Sequence, residues 1–226
     1  MMQSSSLLRL LQLASPSLPI GAYTYSQGLE ASIEAGMVTN EDSARSWITE
    51  SIGIASDFEA PIFWRLLKAF EARDGKTVTL WTERLVAARD TAEFRAETIQ
   101  MGYSLGKLVV DLGIADEALV SMLAGQADVP LPTALACAAQ ALGVPHESAL
   151  LGMLFSLAEN QVLVCVKSVP LGQLSGQRLL LSLHPVIQKA AEHARGLRDE
   201  QLSNWAPGLS LLSMRHETQY SRIYRS

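Results

Sequence analysis

Between positions 145 and 166 the chain is apolar on nearly every face of a helix: Leu150, Leu151, Met153, Leu154, Phe155, Leu157, Val162 and Val164 leave no polar stripe. A helix with no wet side must be wrapped by other elements. Pro145 stands where a first helical turn tolerates proline, so a buried central helix is expected from about residue 145 to residue 166. Its wrapping should be helical too. Sustained period-two alternation is absent elsewhere and β-branched clusters are short.

Helical signals recur along the rest of the chain. Thr39 with Asp42 forms a capping pattern ahead of Trp47, Ile48 and Ile52, and Ser56 with Glu59 repeats it ahead of Pro61, Ile62 and Phe63. Asp90 with Glu93 opens a long helix whose apolar face runs Phe94, Met101, Leu105, Leu108, Leu112, with Gly113 as its stop. Asp128 to Pro132 marks a break, and residues 133–142 read as an Ala-rich helix ended by Gly143. A further helix follows Pro170. It is expected to kink or break at His184-Pro185, because proline removes a helical hydrogen bond and clashes with the preceding turn. Residues 204–208 form a turn, and a basic tail closes the sequence. No repeat of fixed period and no shift in composition divides the chain. The expected fold is all-α: one domain over residues 1–226, a compact bundle of roughly ten helices with a buried central helix and a basic tail at 213–226.

A net charge of −5 lacks the basic groups that neutralise phosphates, which excludes a nucleic-acid partner. The hydrophobic fraction, 48% against 18% charged, leaves apolar surface for protein partners. Cys137 and Cys165 sit in apolar helical stretches and read as buried free thiols in a reducing compartment. The longest apolar stretches, at 148–158 and 179–183, fall short of the roughly 18–20 residues a membrane span needs. Residues 1–6 lack the basic start of a secretory signal. A cytoplasmic protein is expected.

The usual chemical signatures do not assemble. No two of His146, His184, His193 and His216 are three or four residues apart, and no Cys-x-x-Cys exists, so no metal pair is presented by one helix. Gly102-Tyr-Ser-Leu-Gly106-Lys107 faintly resembles a phosphate-binding loop. It is one residue short, has Leu108 where a magnesium-binding hydroxyl belongs, and lies inside a helical pattern whose N–H groups are already used. Gly172-Gln-Leu-Ser175-Gly176 has the wrong spacing for a nucleophile elbow. Carboxylates are read as a solvated face, no cofactor is indicated, and no enzyme is expected.

Three segments are harder to explain as packing. Ser15-Pro-Ser-Leu-Pro-Ile-Gly-Ala-Tyr-Thr-Tyr-Ser-Gln-Gly-Leu-Glu30 is stiffened by two prolines and carries Tyr23, Tyr25 and Gln27, either a helix-start loop or a rigid polar-aromatic surface. Lys167-Ser-Val-Pro-Leu-Gly-Gln-Leu-Ser-Gly-Gln-Arg178 places Gln173, Gly176 and Gln177 on one side of a helix start. Its glycines cost about 1 kcal/mol each against alanine, which implies tight helix packing or a close approach from outside. Ser213-Met-Arg-His-Glu-Thr-Gln-Tyr-Ser-Arg-Ile-Tyr-Arg-Ser226 carries three arginines and one glutamate, a local charge of +2. Its Arg, Tyr and Ile side chains are those that anchor interfaces, and it is expected to order as it binds.

These segments, in this order, resemble the UreF family of urease accessory proteins. Ser15-Pro-Ser-Leu-Pro-Ile-Gly-Ala-Tyr with Ser26-Gln-Gly-Leu-Glu30 is similar to its N-terminal signature. Arg95-Ala-Glu-Thr98 with Met101-Gly102, then Val169-Pro-Leu-Gly-Gln173 with Gly176-Gln-Arg-Leu-Leu180, match internal motifs. Met214-Arg-His-Glu-Thr-Gln-Tyr-Ser-Arg222 with Tyr224-Arg-Ser226 matches its end. The resemblance implies an all-α homodimer that bridges a second accessory protein, UreD (also called UreH), and the GTPase UreG on apo-urease during GTP-dependent nickel insertion. It implies that Arg222, Tyr224 and Arg225 hold UreD and that Lys167, Gln173 and Gln177 face UreG. Tyr23, Tyr25, Gln27 and Tyr220 are further interface candidates. A nickel-binding chaperone and a helical enzyme with a small-molecule pocket are the alternatives.

Overall fold

The computed structural model describes residues 4–169 and 171–226. Among them are eleven α-helices and no strand, the all-α bundle expected: α1 Ser4–Leu13, α2 Leu29–Glu34, α3 Glu41–Asp57, α4 Glu59–Glu71, α5 Gly75–Ala87, α6 Ala92–Asp111, α7 Glu117–Ala124, α8 Leu131–Ala141, α9 His146–Ser168, α10 Gln173–Gly196 and α11 Pro207–Glu217. Pro170, after which a helix was expected, lies outside the described residues.

The helix starts differ from the expected ones by a residue or two. Asn40, not Thr39, caps α3: its side chain accepts the Ser43 N–H while Ser43 Oγ returns the bond to the Asn40 N–H. Thr91, not Asp90, caps α6 by accepting from Phe94 N at 3.2 Å, and Asp90 instead binds Ser210. Ser56 is no cap. It lies inside α3 with its hydroxyl turned back to Gly53 O, so α3 and α4 are separated by Phe58 alone. Helix stops follow the reading: Gly113 and Gly143 sit at φ 61° and 63°, where a side chain would clash with its own backbone.

The buried core is built on α4, where Phe63, Leu66, Leu67 and Phe70 have no exposure, and on α9, which packs against α10, α3 and α4. By length and composition α9 could cross a membrane, with a mean hydropathy of 1.7 over its best window, although its longest unbroken apolar run was too short. The difference is Glu159-Asn160-Gln161, which breaks the run without lowering the mean enough. In the fold Asn160 and Gln161 are bonded to the body of the protein, as described below. Pro185 does not break α10, which runs continuously from Gln173 to Gly196. The carbonyl that Pro185 leaves unpaired belongs to Leu181 one turn earlier, a residue 63% exposed, so water can take the bond.

Helix α8 passes between α4 and α6, and small residues allow it: Ala134, Ala136, Cys137, Ala138 and Ala139 are fully buried. Gly102 explains the false phosphate-loop pattern. A Cβ there would stand 2.0 Å from Val129 O and 2.5 Å from the Pro130 carbonyl carbon, where the chain turns into α8. Gly102→Ala should therefore cost about 3 kcal/mol, since backbone must move to relieve the clash. Gly53→Ala, in open space on α3, should gain up to about 1 kcal/mol. Denaturant melts of the two variants check the contrast.

Candidate functional site

Gln27 and Gly28 share a left-handed backbone, φ 57° and 79°, and this pair swings the N-terminal loop into α2. Such a conformation is strained for glutamine and must be held from outside. Two bonds hold it: Gln27 Nε2 donates to Glu97 Oε1 at 2.7 Å, and Gln27 Oε1 accepts from Gln161 Nε2 at 3.2 Å. Gln161, buried in α9, also donates to Ser26 O at 3.1 Å and accepts from Trp47 Nε1 at 3.0 Å. Asn160 donates to Tyr25 O at 2.9 Å. The polar step in α9 is thus the anchor of the loop carrying Tyr23, Tyr25 and Gln27.

The turn places Glu30 in the interior, 6% exposed, opposite two groups distant in sequence. His216, from the last turn of α11, has no exposure. Its Nε2 lies 3.0 Å from Glu30 Oε2, and its Nδ1 lies 3.0 Å from both oxygens of Glu93 on α6. Each ring nitrogen therefore faces a buried carboxyl group, and the ring bridges α2 to α6. Arg222 Nη1 reaches Glu93 at 3.2 Å, so the same carboxylate meets the ring and the C-terminal segment.

The same Glu30 fixes the C-terminal segment. Its Oε1 accepts from Ile223 N at 2.7 Å and its Oε2 from Tyr224 N at 3.0 Å. Further on, Arg225 N donates to Thr24 O at 2.8 Å, Ser26 N donates to Ser226 O at 2.7 Å, and Ser226 Oγ donates to Glu97 Oε2 at 2.7 Å. The segment expected to order on binding is already seated on the body of the protein. Tyr224, a predicted contact residue, is only 5% exposed; its backbone N–H is spent on Glu30 and its ring faces the end of α9, beside Ser168 and Cys165. Burial raises its phenol pKa against the lowering effect of the Ser168 hydroxyl.

Of the sequence-singled residues, Tyr25, Gln27, Arg222, Tyr224 and Arg225 are brought together. Tyr25 is buried, donates to Gln100 Oε1 at 2.9 Å, and has the Arg225 side chain alongside its hydroxyl; burial raises its pKa and Arg225 opposes the rise. Tyr23, Tyr220, Ile223, Arg222 and Arg225 are exposed, Tyr220 fully. Lys167, Gln173 and Gln177 are exposed where α9 ends and α10 begins, Lys167 adjoining the Ser168 that Tyr224 faces. The nearby glycine has a packing cause: a Cβ on Gly176 would stand 2.6 Å from Val166 Cγ2 of α9, so the close approach there comes from within.

Sequence reasoning missed Glu30, Glu93, Glu97, Gln161 and Arg89, having read carboxylates as a solvated face. One signal was available: Glu97 lies one turn from Met101 and two from Leu105, on the buried face of α6. Its burial raises the carboxyl pKa from 4.5 to about 7, against the lowering effect of the Gln27 and Ser226 hydrogen bonds. The sign follows directly. A folded pKa above the unfolded one means that folding takes up a proton between those values. This contribution to stability is full below about pH 4.5, is lost as pH rises to about 7, and stays constant beyond. Glu97→Gln should flatten that part of the stability profile, measured by urea melts across the same range.

Glu97, Gln27 and Gln161 line a cavity of about 190 Å³ whose apolar lining includes Phe94, Met101 and Leu157. Glu59 and Arg89, paired at 2.5 Å, also reach it, and Arg89 Nε is buried without a partner among the described residues. Cys137 and Cys165 are buried free thiols, as expected, with pKa values pushed up to about 12 by burial. Among the described residues, no three His, Cys, Asp or Glu side chains are grouped to hold a metal ion.

A family model described as UreF matches residues 38–184. The urease accessory protein UreF of Nitrosospira multiformis and that of Janthinobacterium sp. (strain Marseille) are each 67% identical over 226 residues, covering all of both chains. That of Nitrosococcus oceani is 45% identical over 223 residues, 98% of this chain and all of its own. The family match ends before α11, but the two relatives at 67% identity align through the seated C-terminal segment as well.

Proposed function

The chain belongs to the UreF family of urease accessory proteins, and from that membership we propose that it is a scaffold bridging UreD (UreH) and the GTPase UreG during nickel insertion into apo-urease. In this reading it acts in the cytoplasm as a homodimer and modulates the UreG GTPase. Nucleotide and metal chemistry belong to its partners. The observation that carries the reading is the seated C-terminal segment. Its buried residues tie it to α2, α6 and α9, while Arg222, Arg225, Tyr220 and Ile223 face outward. A preformed surface spares the ordering entropy that a free tail would spend on binding.

The outward arginines suit an acidic groove on UreD, because guanidinium forks pair bidentately with carboxylates. Lys167, Gln173 and Gln177 offer a separate polar patch to UreG. Holding both partners at once lets the GTPase state bias metal release, with a typical coupling of about 1–3 kcal/mol. Co-purification tests the division. Lys167→Ala should weaken UreG recruitment and spare UreD, and Arg225→Ala should do the reverse. Loss of the same partner in both variants would place the two patches in one footprint.

The cavity beside Glu97 favours a second reading, binding of a small apolar molecule within the helical body, since it pairs an apolar wall with buried titratable groups. Filling it with Met101→Trp while urease maturation proceeds normally would set that reading aside.

A further inference from the structure

Two hydrogen-bonded routes lead from one amide in α9 to Ser226 in the C-terminal segment. Gln161 is 1% exposed and makes three bonds: its Oε1 accepts from Trp47 Nε1 at 3.0 Å, and its Nε2 donates to Ser26 O at 3.1 Å and to Gln27 Oε1 at 3.2 Å. The first route runs through Ser26, whose N–H and hydroxyl both donate to Ser226 O. The second runs through Gln27, whose Nε2 donates to Glu97 Oε1, while Glu97 Oε2 meets Ser226 Oγ at 2.7 Å. An indole N–H only donates and a backbone carbonyl only accepts, so the Gln161 amide fits one way round. Gln27 follows from it, receiving at its oxygen and donating from its nitrogen. Glu97 can accept there in either protonation state.

We propose that Gln161, held in place by Trp47, is the positioning residue of the C-terminal surface: it fixes Ser26 and Gln27, which together hold Ser226 by its carbonyl and its hydroxyl. This deepens the reading of that segment as a partner surface and rests on it for its biological consequence. None of the three Gln161 bonds reaches the segment itself, so the residue acts through the N-terminal loop. Trp47 secures it from α3. Without the indole donor, Gln161 Oε1 becomes a buried acceptor with no partner, which is costly. The side chain borders the cavity, and turning into that space to relieve Oε1 takes Nε2 away from Ser26 and Gln27. Ser226 then loses both holds, and outward-facing Arg222, Ile223 and Arg225 lose their fixed spacing.

Two substitutions separate this role from space-filling. Gln161→Met keeps an unbranched side chain of similar length and removes all three bonds, whereas Trp47→Phe keeps an aromatic ring and removes only the donor. Hydrogen exchange on the isolated full-length protein reads the outcome. The Ser26 amide, bonded to Ser226 O, and the Arg225 amide, bonded to Thr24 O, report seating, and the amide of fully buried Leu67 in α4 reports global stability. In each variant the protection of Ser26 and Arg225, taken relative to Leu67, should fall about tenfold or more. Combining the two substitutions should add nothing to the loss in Gln161→Met, because Trp47 acts through that amide. Protection retained in either single variant overturns the proposal, and so do losses that multiply in the double variant. UreD affinity of the same proteins reports on the partner reading separately: if the amides behave as expected while affinity holds, the positioning role stands and the assignment of that surface to UreD fails.

Discussion

Glu30→Ala is expected to lower the unfolding free energy by about 3–5 kcal/mol, because it leaves three buried partners without their hydrogen bond at about 1–3 kcal/mol each. The size follows from what the carboxylate leaves behind. The His216 ring, with no exposure, keeps Glu93 alone, and the Ile223 and Tyr224 amides lose their acceptor in a nearly dry site. The alanine also leaves a void where three groups converged. Relief from desolvating Glu30 works in the opposite direction, but that cost is offset in the native protein by bonds to the His216 ring and two backbone amides. Four residues along, Glu34 is exposed at the end of α2, and Glu34→Ala should change stability by no more than about 0.5 kcal/mol. Urea denaturation at pH 7 of the two variants side by side makes the comparison, and equal effects would mean that the node contributes nothing.

Removal of residues 220–226 is expected to lower Tm and abolish UreD co-purification together. From sequence alone the same deletion is expected to leave melting unchanged, because a basic, polar chain end is ordinarily frayed. The seated geometry reverses that expectation. Tyr224 is 5% exposed, and loss of a buried aromatic costs about 3 kcal/mol, or about 6–12 °C in Tm for a domain of this length. Glu30 and Glu97 would lose further partners. Since a damaged fold could also lose a partner, the informative companion is Ile223→Asp. That side chain is 71% exposed, so stability should hold within about 0.5 kcal/mol while UreD affinity falls by about tenfold or more. Thermal melts and a binding titration on both variants divide surface from scaffold.

Most of the fold was legible because helix periodicity and helix stops are local. Gly113 and Gly143 end helices for a backbone reason that needs no tertiary partner, and the apolar run at 145–166 could only be wrapped. Helix starts were less legible, since Asn40 and Thr91 sit beside equally good capping residues and only the realised hydrogen bond selects one. Pro185 does not break α10 because the cost of proline depends on whether the freed carbonyl can reach water, which the sequence does not state. The C-terminal segment was legible as special but not as seated. Its burial depends on Glu30, Glu93, Glu97 and Gln161, polar residues that by composition belong outside and are inside only because each finds a partner up to about 200 positions away in the chain. Long-range polar pairing of that kind leaves almost no local trace.

The account turns on whether the outward face of the seated segment is what UreD grips. Isothermal titration of UreD into the purified protein and into an Arg225→Ala, Ile223→Asp variant, each first matched for Tm, measures this most directly. The expected result is an affinity loss of about a hundredfold in the variant, as for two anchoring residues removed from one interface. Unchanged affinity in a variant that melts like the parent would contradict the account and move the UreD contact elsewhere on the molecule.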